Sequence, residues 1–325
     1  MKQQIKITRK LFSILAGGFV LSTILLTSCS KDDNSNGSGS GTAATNFQVT
    51  DAAIDDANVT AAYVTITDIK VDGQSVSGFT KTTVNLAALQ NGTTQSIGTF
   101  NLNAKTYSTL TFVIDSDTDA SGNTPGSYVV TTGGVKHKLT AAGGSTITVS
   151  KSLTLVSSGT NTVTADFNLR KMIIAQTGGG ADMYDFATSA ELQNDVRVTV
   201  ENNTISGTVT DNTVGGAGKI VVYAYKKGTF VRSTELNGQG ASNVQFSNAV
   251  ASATVAAGGA YSLHFLDSGN YELYFASYKD TNADNKYELQ GTLVATASGG
   301  LDLLNLTVGA NATLSVNATA TAVLP

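Results

Sequence analysis

Tyr63-Val64-Thr65-Ile66-Thr67-Asp68-Ile69-Lys70-Val71, followed by Asp72-Gly73, decides the fold class. β-Branched residues dominate the run, and their crowded Cβ suits an extended backbone better than a helix. By parity Tyr63, Thr65, Thr67 and Ile69 fall on one face, and Val64, Ile66 and Asp68 on the other. Asp72-Gly73 is a turn signal, so the run predicts a strand entering a hairpin. The same pattern continues along the chain. Strands are predicted at 82–86, 97–102, 108–114, 127–131, 135–139, 146–149, 153–156 and 162–169. Turns separate them at Asn91-Gly92, Gly133-Gly134, Gly143-Gly144 and Ser158-Gly159. Short strands divided by Gly-rich turns predict an antiparallel sandwich or barrel. Residues 183–193, after the break at Gly178-Gly179-Gly180, are the one later stretch that reads as a short helix.

Composition agrees with an all-β chain. Charged residues are 14% of the 325, against a usual share of about 25%. Hydrophobic residues reach 41%, enough to bury a core. With Cys 1 and His 2, no intramolecular disulfide and no Cys/His zinc site can be built.

The first residues read as an address. Lys2, Lys6, Arg9 and Lys10 precede a mostly apolar run from Leu11 to Leu26, which is short for a membrane span. The run ends in Leu26-Thr27-Ser28-Cys29. This resembles the lipobox of bacterial lipoproteins. The resemblance implies cleavage before Cys29 and acylation of its sulfur by palmitate-type chains. Two or three such chains hold a protein stably on a membrane. The sole thiol of the chain stands where the lipid would be attached. Residues 1–28 read as the signal peptide and 29–45 as a flexible tether rich in Ser, Gly and Asn. Lys31-Asp32-Asp33 resembles the export tag of surface-exposed Gram-negative lipoproteins, which places the protein on the outer membrane facing the exterior. Loss of residues 1–28 removes four of the 20 cations and none of the 24 anions, leaving a net charge of −8. Such a body is not drawn to nucleic acid.

Two antiparallel β-sandwich domains of Ig- or transthyretin-like type are expected after the tether, at 46–197 and 198–325. The stretch Val49-Thr50-Asp51-Ala52-Ala53-Ile54-Asp55, the Tyr63–Val71 run, Val84-Asn85-Leu86, Tyr107-Ser108 and the aspartates from Asp115 to Asp119 resemble a family of bacterial lipoprotein domains with no assigned function. That resemblance covers roughly 46–175. Ala53 stands where the family's opening has Pro. In the second domain, Ile205-Ser206-Gly207-Thr208-Val209-Thr210-Asp211 precedes Ile220-Val221-Val222-Tyr223-Ala224-Tyr225. Further on come Tyr261-Ser262-Leu263-His264-Phe265 and Ser268 to Phe275. These resemble carboxypeptidase-regulatory-like domains, which are seven-stranded sandwiches used mostly as spacers or binding modules. The stretch from Gly238 to Ala257 expands a connecting loop and departs from that pattern.

Candidate sites are few. Asp115, Asp117 and Asp119 alternate after the apolar Phe112-Val113-Ile114, and in a continuing strand their carboxylates would share one face. Either a calcium ion or solvent must then offset their repulsion. Asp280, Asn282, Asp284 and Glu288 have the oxygen spacing of a calcium loop, with Asn285 where an EF-hand has Gly and no bidentate closing ligand at Thr292. The alternative is a polar hairpin loop. Gly215-Gly216-Ala217-Gly218-Lys219 lacks the hydroxyl residue and the following helix of a phosphate loop and reads as a turn. His137 and His264 read as surface or partly buried strand residues. No catalytic residue and no cofactor other than calcium is expected. The sequence therefore reads as a non-enzymatic, lipid-anchored cell-envelope module. It would bind or scaffold, with membrane lipid and an extracellular protein or glycan as partners. A glycan-binding accessory role is the alternative, suggested by Tyr223, Tyr225, Tyr271, Tyr274 and Tyr278, several of which alternation places in the sandwich core. A hydrolase is the second.

Overall fold

The computed structural model describes residues 41–325 apart from 53–55, 57, 141–145, 177–183 and 284–286. Cys29 and Lys31-Asp32-Asp33 therefore lie outside the described residues, as do Gly143-Gly144 and Asp284. The first half contributes β1 (Thr42–Ala52), β2 (Val59–Val71), β3 (Gln74–Ser75), β4 (Thr82–Asn85), β5 (Gln95–Asn103), β6 (Thr106–Asp115) and β7 (Tyr128–Thr131). It continues with β8 (Lys136–Lys138), β9 (Thr146–Thr154), β10 (Thr160–Asn168), α1 (Leu169–Met172), β11 (Ile173–Ala175), β12 (Tyr184–Phe186), α2 (Ser189–Asp195) and β13 (Val196–Thr199). One large sheet runs β13-β10-β1-β5 and a second runs β8-β7-β2-β6-β9, with β3 and β4 also on β2, while β11 and β12 pair with each other. The two sheets enclose a core of Phe47, Val49, Ile66, Ile69, Leu110 and Phe167. Phe112 of β6 meets Phe167 of β10 edge-on at 5.3 Å across the sandwich.

The alternation in β2 is broken by a bulge. Ile66 pairs with Ile114 and Asp68 with Val113, so Thr67 is an extra residue, and its hydroxyl donates to the Val113 carbonyl at 3.2 Å. The bulge resets the parity. Val64 and Ile66 are buried before it, and Ile69 and Val71 after it. Simple parity puts Ile69 on the opposite face from Ile66, and the extra residue is what overturns that placement. A second irregularity, where β6 pairs with β9 between Tyr107 and Thr109, explains why 146–149 and 153–156 read as two strands. They are one, β9. At Asp72-Gly73 both residues have positive φ, of 47° and 78°, as a two-residue hairpin turn requires.

Two further expectations need correction. Residues 42–45, read as part of the tether, belong to β1, which starts at Thr42 and buries Ala43 and Thr45 completely. Small residues fit there because β1 lies between β5 and β10. The helix expected at 183–193 is instead a strand and then a helix. Tyr184 and Phe186 alternate into the core as β12, and α2 follows from Ser189 after the N-cap Thr188. The Glu191 carboxylate accepts from the Thr188 N–H at 3.1 Å and from its hydroxyl at 2.6 Å, an arrangement that starts a helix.

The second half contributes β14 (Asn203–Asp211), β15 (Lys219–Lys226), α3 (Arg232–Glu235), β16 (Ala251–Thr254), β17 (Ala260–Leu266) and β18 (Gly269–Lys279). It ends with β19 (Glu288–Ala297), β20 (Leu306–Val308), β21 (Thr313–Ser315) and β22 (Ala318–Leu324). The strands follow one path, β16-β15-β18-β19-β22-β14-β17, with β20 on β18 and β21 on β14. The pairings are antiparallel except for β1 with β10 and β14 with β21 and β22. β15 is buried on both faces. Val222 and Ala224 point into the core with Leu263, Leu273 and Phe275. Val221, Tyr223 and Tyr225 point the other way, under the insertion. Phe246 stacks on Tyr223 at 4.2 Å, and Phe230 meets Tyr225 edge-on at 5.0 Å. Glu235, fully buried, accepts from the Tyr225 hydroxyl at 2.7 Å and the Asn248 side-chain amide at 2.5 Å.

Candidate functional site

The stretch from Gly238 to Ala257 is one of the surfaces on which the two halves meet. α1 brings Arg170 and Lys171 to its backbone carbonyls. Arg170 donates through Nη1 to Gln245 O at 2.6 Å and through Nη2 to Phe246 O at 3.0 Å, with its guanidinium 5.2 Å from the Tyr223 ring centre. Lys171 Nζ donates to Ser247 O at 3.0 Å. Both side chains come off a chain that has just left β10, so the strand's end aims them. α2 adds Glu191, which accepts from the Ser242 N–H at 3.0 Å and its hydroxyl at 2.5 Å.

A second set of contacts lies along β13 and β17. Arg197 pairs with Asp166 at 2.6 Å and donates to the carbonyls of Phe265 and His264. Phe265 has φ of 55°, a conformation bulky residues rarely take. It sits in an irregularity of the β14–β17 pairing that turns these two carbonyls toward Arg197. Asp267 pairs with Lys151 at 2.6 Å and accepts from Thr199 at 2.9 Å. Burial opposes its ionisation, but these partners hold its carboxyl below the usual carboxylate range.

Clefts follow this seam, and two of them differ in their lining. One, of about 510 Å³, is lined by Gln90, Asn91, Ser252, Thr254, Ser262 and His264. His264 lies under the Asn91-Gly92 turn, where a Cβ on Gly92 would come within 2.7 Å of the ring. Burial lowers the His264 pKa, partly countered by Asp166. The other cleft, of about 390 Å³, is charged: Lys151, Asp166, Lys171, Asp195 and Arg197 line it.

Glu191 makes the seam sensitive to acid. Burial raises its pKa, but donors from Ser242 and Thr188 bring it down from 4.5 to about 2. A carboxylate lowered on folding contributes stability that is full above its unfolded pKa and is lost as pH falls through the folded value. The expected result is a steeper loss of urea stability between about pH 4.5 and 2 in the parent than in Glu191→Gln. Parallel pH profiles of the two proteins would refute it.

Asp115, Asp117 and Asp119, singled out for calcium, bind separate partners. β6 stops at Asp115, which takes Lys81 at 2.8 Å and accepts from the N–H of Asp117 at 2.7 Å. Burial raises the Asp115 pKa, but Lys81 and the N–H groups of Asp117 and Thr118 bring it to about 2. Asp117 pairs with Lys138 at 2.6 Å. Asp119 accepts from the N–H groups of Ser121 and Asn123, each at 2.8 Å. The chain turns between these aspartates, so their carboxylates do not share a face. Asp280 and Asn282 stand in the bend after β18, and Glu288 accepts from the N–H of Thr281 at 2.9 Å and its hydroxyl at 3.0 Å. Among the described residues no three His, Cys, Asp or Glu side chains come together as a metal-holding group.

The tyrosines suggested for a sugar platform are occupied. Tyr223, Tyr225, Tyr271 and Tyr278 are buried, and Tyr274 stacks on Phe230 at 3.6 Å. Tyr271 alone of the five belongs to the sandwich core, because the insertion gives the others a second one. His137 contacts Thr131 Oγ1 at 3.2 Å and meets Tyr184 edge-on. In 211–219, Asp211 accepts from the N–H groups of Thr213 at 2.9 Å and Ala217 at 2.7 Å, closing a turn. The seam cations do not stand out in the sequence. Their one signal is a pair of charges, Arg170-Lys171, held between Leu169 and Met172.

Residues 42–187 match the model of a family described as a domain of unknown function, DUF4382. The match is close to the stretch that resembles lipoprotein domains. No curated protein matches the sequence. Among solved structures, the chain is similar to the Bacillus anthracis TIE protein at 10% identity and a TM-score of 0.18, covering 86% of this chain and 34% of that one. It therefore spans about a third of that protein's length. It is similar to the shaft pilin SpaA of Lactobacillus rhamnosus GG at 10% identity and a TM-score of 0.19, covering 87% and 100%. The major pilin T-13 of Streptococcus pyogenes is similar at 9% identity and a TM-score of 0.15, covering 88% and 100%.

Proposed function

We propose that this chain is a lipid-anchored, outward-facing β scaffold of the outer membrane, without enzymatic activity, that carries a binding face away from the cell. The observation that supports a scaffold best is the seam. Arginines of one half donate to backbone carbonyls of the other, so the halves are bonded to each other. A body joined in this way presents its binding face in one geometry. The anchor rests on Cys29 and the apolar run before it. The partner would be an extracellular protein or a glycan. The cleft of Gln90, Asn91, Ser252, Thr254 and Ser262, which Asp51 and Asp166 also line, supports the glycan reading, since hydroxyl and amide groups both donate and accept.

The test is metabolic labelling with a fatty-acid analogue. Parent protein should carry the label and Cys29→Ala should not, and equal labelling of the two would remove the anchor. Replacing Lys31, Asp32 and Asp33 by alanine should protect the protein from protease added to intact cells. Unchanged digestion would remove the outward orientation.

A further inference from the structure

Lys171 and Asp195 face each other where α1 meets α2, with Nζ 3.6 Å from Oδ1 and each side chain only 7% exposed. This is a poor ion pair. A buried pair offsets its loss of hydration only through short, well-directed bonds. Here the nitrogen gives its hydrogen bond to Ser247 O at 3.0 Å and stands beyond hydrogen-bond distance of the carboxylate. We propose that the two side chains are joined as an intramolecular amide, Lys171 Nζ to Asp195 Cγ.

The surroundings favour the neutral forms that such a reaction needs. Burial lowers the Lys171 pKa, opposed by Asp195 and helped by the neighbouring Arg170. Burial raises the Asp195 carboxyl to about 6, opposed by Lys171 and helped by Glu191. A desolvated amine is a nucleophile, and an un-ionised acid is an electrophile. Holding them in contact removes the entropy cost of bringing them together. The amine nitrogen attacks Cγ, the N–C bond forms and the C–OH bond breaks. One amine proton leaves with the hydroxyl as water, so atoms balance and no oxidant or activating group is consumed. The water has an exit through the cleft side lined by Asn194, Ser247 and Asn248. The amide would tie α1, which carries Arg170, to α2, which carries Glu191, and so brace both attachments to the insertion. This inference does not depend on where the protein is displayed.

Trypsin and mass spectrometry of the full-length protein test the amide directly. Between Lys171 and Arg197 there is no other Lys or Arg, so both reacting residues fall in one stretch. The expected product is peptide 171–197, lighter by one water and uncut after Lys171. Asp195→Asn should give the same final mass, because ammonia then leaves instead of water. Lys171→Arg and Asp195→Ala should give no mass loss. The inference is overturned if the parent protein yields peptide 172–197 at full mass. It is equally overturned by a water loss with cleavage after Lys171 intact, which marks cyclisation of Asp195 on its own backbone. Each of these outcomes is read from the parent protein alone, whatever the variants' folding.

Discussion

Arg170→Ala is expected to cost about 3 kcal/mol of unfolding free energy, far more than removal of a surface cation. The guanidinium is nine-tenths buried and satisfies two carbonyls of the other half. Deleting it leaves both carbonyls in a water-poor seam, at roughly 1–3 kcal/mol for each unsatisfied group. It also opens a void against the Tyr223 ring. Arg170→Lys should recover only part of the loss, because one ammonium cannot reproduce the two-pronged geometry. The control is Lys138→Ala, whose pair with Asp117 has side chains 43% and 83% exposed, and which should change stability by less than about 1 kcal/mol. Urea unfolding followed by circular dichroism gives the comparison. If Arg170→Ala and Lys138→Ala unfold at the same urea concentration, the seam does not hold the halves together.

Such a seam is hard to read from sequence. The strands are legible because burial on one face imposes a period of two, and Gly pairs mark their ends. A bulge leaves almost no trace. Thr67 looks like any other strand threonine, yet it shifts the phase of β2 and sends Ile69 inward. The seam cations are less visible still. Their acceptors are main-chain carbonyls some 75 positions away, and every residue type carries a carbonyl. The insertion is visible as an anomaly, from Gly238 to Ala257, but its role is not. That role depends on Tyr223 and Tyr225 pointing away from the core, and parity alone cannot say which face of β15 is covered by what. The aspartates at 115, 117 and 119 show the converse. Their spacing is that of a strand, but the chain stops being one at Asp115, and local amides and lysines take the three carboxylates separately.

Gly207→Ala is expected to be as damaging as any single change, at about 3 kcal/mol. β14 changes partner near this glycine. Thr204 to Ser206 pair with β21, and Val209 to Asp211 pair with β22. The link between those two strands, Val316-Asn317, crosses over Gly207. Val316 N donates to Ser206 O at 2.8 Å, the Tyr261 hydroxyl donates to Val316 O at 2.7 Å, and Asn317 Oδ1 accepts from Thr208 N at 2.9 Å. A Cβ on Gly207 would lie 1.8 Å from Val316 O and 2.5 Å from its carbon. Both are backbone atoms and cannot swing aside as a side-chain tip could. The link must lift, and the three hydrogen bonds that hold it are strained together. The glycine in Ile205-Ser206-Gly207-Thr208-Val209 is thus explained by the crossing chain rather than by a turn. Gly309→Ala is the matched control. Nothing stands within 4 Å of its Cβ position and its φ is not left-handed, so it should be neutral or slightly stabilising, by roughly 0.5 kcal/mol. Thermal melts of the two variants should separate clearly, with Gly207→Ala the lower. Coincident melts would mean that the crossing at Val316 is looser than these distances, and that the C-terminal strands are not pinned to β14 there.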